Sequence, residues 1–290
     1  MEKIINNPGK IEKFIRSLVR YFLIERDVRN IKKIYYFINT KLYSPIYSRL
    51  ISSNLTKLAL HFGTDKAGHH NYTKHYQSHF HSRRLDKMNI LEIGVGGHEI
   101  IDFGGHSLRV WKKYFPKSMI YSLDIHEKRL NEKRIKIFQG SQTDSVFLNN
   151  MLEKIGGKLD IIIDDGSHIN DHVITSFEIL FPSLEDGGIY VVEDTHTSYW
   201  PSIKKSSGLI KEFNGNSDDL NSCKTTMGYF KSLCDGLNHM EYVKPGYQST
   251  YFDRNIKSIH FYHNLIFIFK GDNNIESLFL KDNDFFNTKN

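Results

Sequence analysis

Only two cysteines, Cys223 and Cys234, occur in the 290 residues, and they show none of the spacing of a zinc site or a disulfide framework. That scarcity suits a reducing, cytoplasmic setting. No apolar run approaches the roughly 18 residues of a membrane-spanning helix, and Met1 to Lys10 lacks the apolar stretch of a signal peptide. Charge of one sign is scarcely in excess: 39 Lys+Arg stand against 33 Asp+Glu, for a net +6. The excess is not gathered into an aromatic-interleaved basic patch, so nucleic acid is not the expected partner. What the chain does have is hydrophobic content, 39%, enough to bury a large core in one main domain with additions.

The most informative stretch runs from Leu159 to Asp194. Leu159 to Ile163 is a short apolar run that fits a strand buried on both faces. It turns polar at Asp164-Asp165-Gly166-Ser167-His168. A helix from about Asn170 to Phe181 follows, with Val173, Ile174, Phe177, Ile179 and Leu180 as its buried stripe. Gly187-Gly188 punctuates, and Ile189 to Val192 makes a second buried strand that ends in Glu193-Asp194. In an open parallel sheet, ligands sit outside the carboxyl ends of the strands. Asp165, Glu193 and Asp194 are therefore expected to converge on one rim, with His168 beside them. Three carboxylates packed together need a counter-cation, because like charges raise one another's pKa. Oxygen-only ligands suit magnesium.

Earlier in the chain, Met88 to Gly97 reads as a buried strand running into a glycine turn. A dinucleotide site wants a third glycine where Glu99 stands, and a helix at once. Here a loop from His98 to His106 precedes a helix from Ser107 to Phe115, which weakens an NAD reading. The next strand, Met119 to Leu123, ends in Asp124, where a carboxylate can accept both hydrogens of a ribose diol. After the strand Ile135 to Phe138, Gln142 and Asp144 lie where an adenine edge can be read; equally, Asp144 can cap the helix Ser145 to Ile155. Strands and helices alternate up to Val192, which predicts a parallel, doubly wound α/β sheet with right-handed crossovers. Ile256 to Phe261 and Leu265 to Lys270, joined by a turn at His263-Asn264, predict an antiparallel hairpin.

The flanks divide the chain further. Residues 1–54 read as a helical extension, with amphipathic helices over Ile11 to Phe22 and about Arg29 to Leu42 that pack on the core or another subunit, or touch an anionic surface. Residues 55–87 hold Gly63-Thr64-Asp65-Lys66, read as a turn after a short helix, then a helix to about Phe80. Five histidines fall between His61 and His79, yet their spacing matches no structural zinc pattern. They are expected to face a pocket or a subunit contact. Residues 88–272 form the main domain, interrupted by an insert at about 195–255 that suits a substrate lid, with a helix near Thr225 to Leu237. Residues 273–290 read as a polar, loosely held tail.

Taken together, several linked stretches resemble the class I S-adenosylmethionine-dependent methyltransferases, and within them the metal-dependent sugar O-methyltransferases of macrolide biosynthesis. The stretches are Gly63 to Lys66 with Tyr72-Thr73 and Tyr76; Leu91-Glu92-Ile93-Gly94; Ser107-Leu108-Arg109 with Trp111; Asp124-Ile125-His126; Asp164 to His168; and Val191 to Asp194. The resemblance implies a seven-stranded, mostly parallel sheet. It implies S-adenosylmethionine at Glu92, Gly94, Gly96, Asp124, Gln142, Asp144 and Asp164, magnesium at Asp165, Glu193 and Asp194, and His168 as general base, with Asp165 beside it in the chemistry. The implied substrate is a sugar hydroxyl of a glycan precursor or glycosylated natural product, and the implied assembly a homo-oligomer. Another hydroxylated small molecule, or cofactor binding without catalysis, stays open.

Overall fold

A computed structural model describes residues 44–204 and 210–278 together with Leu280. The two amphipathic helices expected before residue 43, and the tail beyond Leu280, lie outside the described residues.

Three short helices lead into the sheet: α1 (Ser44–Leu50), α2 (Leu55–Phe62) and α3 (Thr73–Phe80). Asn54 caps α2 by accepting from the Lys57 amide, and Gly63 ends it in the left-handed conformation. Then come β1 (Asn89–Ile93), α4 (His106–Tyr114), β2 (Met119–Asp124), β3 (Ile135–Gln139), α5 (Ser145–Ile155), β4 (Leu159–Asp164), α6 (Asn170–Leu180) and β5 (Leu184–Glu193). An insert holds a 3₁₀ turn (Thr195–Tyr199), the two-residue strands β6 (Ile203–Lys204) and β7 (Ile210–Lys211), and helices α7 (Thr226–Gly236) and α8 (Tyr251–Asn255). The hairpin β8 (Ile256–Tyr262) and β9 (Leu265–Lys270) closes the order.

Seven strands form one sheet in the order β3-β2-β1-β4-β5-β9-β8. The first five are parallel, β9 runs antiparallel to β5, and β8 antiparallel to β9. This is the expected doubly wound sheet with its antiparallel hairpin. Strand alternation splits the core into two layers. Ile161, Ile163, Val191 and Phe267 pack on one face with Leu58, Tyr76, Trp111 and Tyr114. Ile162, Tyr190, Val192 and Ile266 pack on the other with Leu148, Phe177 and Phe230. Because β1 and β4 are neighbours while the chain winds outward from each, a crevice opens at their carboxyl ends. The Asp165 amide donates to the Ile93 carbonyl at 3.1 Å, which sets the two rim turns against each other.

Some boundaries differ from the sequence reading for local reasons. Strand β5 begins at Leu184 and passes through Gly187-Gly188, with a register shift against β4 between Leu159 and Ile161. Gly187, at φ 76°, makes an irregularity within the strand where a break was expected. Helix α6 stops at Leu180 because Pro182 lacks the amide that continuation needs, and a 3₁₀ turn follows. The start of the tail is anchored: the Asn273 side-chain amide donates to the carbonyls of Gly236, Leu237 and Asp253. Loose holding does not apply to that residue. Among the described residues, no helix is long and apolar enough to cross a membrane.

Candidate active site

On the first side of the crevice, β1 runs into the glycine turn. A Cβ at Gly94 would lie 2.3 Å from the Asp165 carbonyl oxygen, so only glycine lets the turns after β1 and β4 approach this closely. The Gly94 amide donates to the Leu123 carbonyl at 2.8 Å, and the Val95 amide to Asp124 Oδ2 at 3.0 Å. Asp124 Oδ1 accepts from the His126 amide at 2.9 Å. Both oxygens are thus oriented by backbone, and each keeps a lone pair for a further donor. Gly96, at φ 73°, has open space above its Cα. As expected, a loop through Gly105 separates this turn from α4.

Four other residues expected around the cofactor serve as braces in the described structure. Gln142 is buried; its Oε1 accepts from the Ser167 amide at 2.9 Å, while its amide nitrogen donates to Ser176 Oγ at 3.3 Å. Asp144 accepts from the Phe147 amide at 3.0 Å and so takes the helix-capping use. Asp164 is buried and accepts from the Ser176 hydroxyl at 2.6 Å; burial pushes its pKa up to about 6. Glu92 is fully buried, with Oε2 accepting from the Ser107 hydroxyl at 2.8 Å. Its carboxyl faces Lys66, and burial pushes its pKa up to about 7 against the opposing pull of that ammonium.

The second side of the crevice is the acid rim, and its centre is a lysine. Lys66 is 1% exposed. Its Nζ donates to Asp165 Oδ2 at 2.6 Å and Glu193 Oε1 at 2.7 Å, and lies 3.3 Å from Glu92 Oε1. Burial alone would discharge the amine, yet Asp165, Glu193 and Glu92 outweigh it and hold the ammonium charged well above its ordinary range. The Tyr76 hydroxyl donates to the same Glu193 oxygen at 2.5 Å. Burial first, then the neighbouring Asp165 charge, pushes Glu193 upward, while Lys66 and Tyr76 pull it back.

Asp194 occupies a separate, half-open compartment. Its Oδ1 accepts from the Tyr72 hydroxyl at 2.7 Å and lies 3.7 Å from His70 Nε2. Its Oδ2 lies 3.6 Å from His168 Nε2, which is also 3.8 Å from Asp165 Oδ1. Burial works against the Asp194 charge, but His168, Tyr72, His70 and His196 overcome it and hold the carboxyl below its ordinary range. His168 and Asp194 both adopt left-handed backbone, at φ 57° and 55°, a strained conformation for residues other than glycine. Ligand atoms of Asp165, His168 and Asp194 all lie within 4.8 Å of one another, the dimension of a cation's ligand shell. The same holds for Glu92, Asp165 and Glu193, where Lys66 already sits. Asp165 therefore belongs to both groups. As the side chains stand, Glu193 faces Lys66, while Asp165 and Asp194 share His168.

Sequence reasoning missed Lys66 and the tyrosine hydroxyls. A signal existed: three rim acids demand a cation, and a lysine follows a capped helix end in the same chain. Nothing local, however, ties residue 66 to residues 165 and 193. Of the histidines of the early segment, His70 faces the Asp194 carboxylate, while three others find ordinary partners. His75 stacks on Tyr262 at 3.8 Å, His79 bonds the Tyr262 hydroxyl at 2.8 Å, and His61 meets Ser44 at 2.9 Å.

No family model matches the sequence. The mycinamicin VI 2''-O-methyltransferase of Micromonospora griseorubida is 44% identical over 223 residues, which are 76% of this chain and 53% of that protein. The 8-demethyl-8-alpha-L-rhamnosyl tetracenomycin-C 2'-O-methyltransferase of Streptomyces olivaceus is 43% identical over 221 residues, 76% of this chain and 55% of that one. The demethylmacrocin O-methyltransferase of Streptomyces fradiae is 43% identical over 223 residues, covering 76% and 54%. The chain thus spans about half the length of the curated relatives it matches. The solved MycE methyltransferase of the mycinamycin pathway, in complex with Mg, SAH and mycinamycin VI, aligns with a TM-score of 0.70 and 38% identity, over 88% of this chain and 64% of that one. A second MycE structure with Mg and SAH aligns at 0.71 and 42%, over 78% and 56%.

Proposed function

The chain is a relative of the sugar O-methyltransferases and has the class I methyltransferase fold, and from that premise we propose that it methylates a sugar hydroxyl of a glycan precursor or glycosylated natural product. The observation that carries this reading is the convergence of Asp165, His168 and Asp194 at the crevice mouth, directly against the Gly94 turn.

The residues present fit both implied groups. For a divalent cation, Asp165 and Asp194 supply hard oxygen donors, with Glu193 adjacent through the pairing that it shares with Asp165. When bound there, such a cation lowers the pKa of a coordinated hydroxyl. For S-adenosylmethionine, whose sulfonium supplies an electrophilic methyl, the open space at Gly96 allows close backbone approach and Asp124 offers the acceptor for a ribose diol. Gln142 and Asp164 brace the turn after β4 that lies against Gly94, through the Ser167 and Gly166 amides.

In this reading His168 takes the proton of the acceptor hydroxyl. Its Nε2 faces Asp165 and Asp194, which orient the ring and stabilise the imidazolium that forms, and its backbone is fixed by the strained turn. Tyr72 holds Asp194 by its outer oxygen, and Tyr76 and Lys66 hold Glu193, so the carboxylates do not reorganise as charge moves. Cytoplasmic location and a homo-oligomer belong to the same proposal. Free Cys223 and Cys234 support the first, and exposed Ile46, Leu50 and Leu60 on α1 and α2 support the second.

The test is transfer of a radiolabelled methyl from S-adenosylmethionine to a panel of rhamnosides and other deoxyhexosides, with product located by mass spectrometry. Labelled methyl ether on a sugar oxygen is expected. Label on a non-sugar hydroxyl alone would move the substrate to another small molecule, and cofactor binding without transfer to any acceptor would leave a non-catalytic binding protein.

A further inference from the structure

Lys66 is the least expected feature of the rim. Its loop is closed on itself: the Gly63 amide caps α2 on the Ala59 carbonyl, Ala67 bridges Asn71, and the Tyr72 amide donates to the Lys66 carbonyl at 3.2 Å. The Lys66 backbone is thus fixed by the residue whose hydroxyl fixes Asp194. From this loop the side chain enters the protein until its ammonium meets acids from β1, β5 and the turn after β4. The consequence lies in which oxygens it takes. On Asp165 it takes Oδ2, and Oδ1 is left toward His168 and Asp194. On Glu193 it takes Oε1, in company with Tyr76. Without the ammonium, the half-buried Asp165 and the buried Glu193, which now share one cation, would repel, and Asp165 would lose the hydrogen bond on Oδ2.

We propose that Lys66 is a positioning residue for the methyl-transfer site, anchoring Asp165 by Oδ2 so that Oδ1 stays presented to the compartment of His168 and Asp194. This rests on the reading of that compartment as a divalent-cation site. Lys66 fills the inner acid group and stays there, while the outer group takes an exchangeable ion. An arginine cannot replace it, because a planar fork does not converge three carboxylates on one point in a fully buried space.

A buried lysine among acids can also be a mere staple of the fold, and the test has to separate the two. Lys66→Met removes the charge with little change of bulk. Lys66→Met combined with Glu92→Gln also removes one acid, returning the charge balance of the cluster to that of the wild type while the bonds to Asp165 and Glu193 stay absent. Mn²⁺ binding followed by electron paramagnetic resonance, thermal stability, and the split between kcat and KM are measured on all three proteins. The double variant should regain most of the stability lost in the single one. Its Mn²⁺ affinity should nonetheless stay roughly 10–100-fold below wild type, the loss usual when a partner that orients a metal ligand is removed. The kcat of both variants should fall by about 100-fold, while in Lys66→Met, where Glu92 is intact, KM for S-adenosylmethionine should change less than about threefold. Wild-type Mn²⁺ affinity and kcat in the folded double variant would overturn the proposal and assign Lys66 to stability alone. A structure of the intact wild-type protein soaked with Mn²⁺ decides independently of how the variants fold. The ion is expected on Asp165 Oδ1 with Oδ2 still on Lys66, and an ion on Oδ2 with the ammonium displaced overturns it. Wild-type protein that takes up no Mn²⁺ would instead remove the divalent reading from which the proposal starts.

Discussion

The glycine-turn side of the crevice is closed between adjacent strands, whereas the acid side is assembled from distant parts of the chain. Asp124 orients the Val95 amide across 29 residues, and the turn is further held by the Gly94 amide on the Leu123 carbonyl and the Ser122 hydroxyl on the Gly94 carbonyl, all from the adjacent strand. Lys66 reaches Asp165 across 99 residues and Glu193 across 127, Tyr72 reaches Asp194 across 122, and Tyr76 reaches Glu193 across 117. The first side is held by backbone geometry and tolerates the loss of a side chain. The second is a set of charges with a buried centre at Lys66 and Glu193, where removing one partner strands the other in a low-dielectric interior. Substitutions on the two sides should therefore separate cleanly in what they damage.

The largest separation is expected at His168. His168→Ala should lower kcat by roughly 10²–10⁴-fold, the usual contribution of a general base, with S-adenosylmethionine affinity by calorimetry near wild type. Retained kcat with lowered thermal stability would return His168 to bracing its turn. Next comes Asp124→Ala, which should weaken S-adenosylmethionine by about 10–100-fold, as for loss of hydrogen bonds to a charged group, and leave Mn²⁺ binding unmoved. If both ligands weaken together, the two sides are one unit and the comparison breaks.

The two sides also differ in how far the amino-acid sequence reveals them. The sheet, its order of winding, the C-terminal hairpin and the rim acids are legible there because buried parallel strands are apolar runs and their polar ends are abrupt, as in Leu159 to Asp165. The glycine turn and Asp124 are legible because each lies within a few residues of a strand end. Lys66 is not, since a lysine after Gly63 reads as a solvated turn residue and only the folded chain brings it to Glu193. Nor does spacing separate Gln142 and Asp144, which look alike in sequence; one braces the β4 turn and the other caps α5. The positive φ of His168 and Asp194 is likewise a product of the turns that hold them.

Smaller effects sharpen the contrast. Tyr76→Phe removes a donor from a buried carboxylate that still has Lys66, so it should cost about 1–3 kcal/mol of stability in urea unfolding. A cost indistinguishable from zero would mean that Lys66 alone satisfies Glu193. The smallest effect belongs far from the acid rim. Glu132 accepts from Arg109 at 2.6 Å and Lys112 at 2.8 Å, and those bonds outweigh its partial burial to hold its pKa below the ordinary value. A depressed carboxylate stabilises the fold above its unfolded pKa and loses that stability as pH falls through its folded one. Glu132→Gln should therefore cost up to about 1 kcal/mol at neutral pH, and the gap from wild type should close on acidification. A gap that widens in acid would assign the pair no stabilising role.

In the proposed mechanism the acid rim binds a divalent cation required for methyl transfer, while cofactor binding across the crevice proceeds without it. Turnover on a glycoside acceptor across a chelator-buffered Mg²⁺ series, run beside calorimetry of S-adenosylmethionine on the same samples, tests it most directly. Turnover should vanish in excess chelator and return saturably with Mg²⁺, while S-adenosylmethionine affinity stays constant throughout. Full turnover in excess chelator would remove the divalent cation from the reaction.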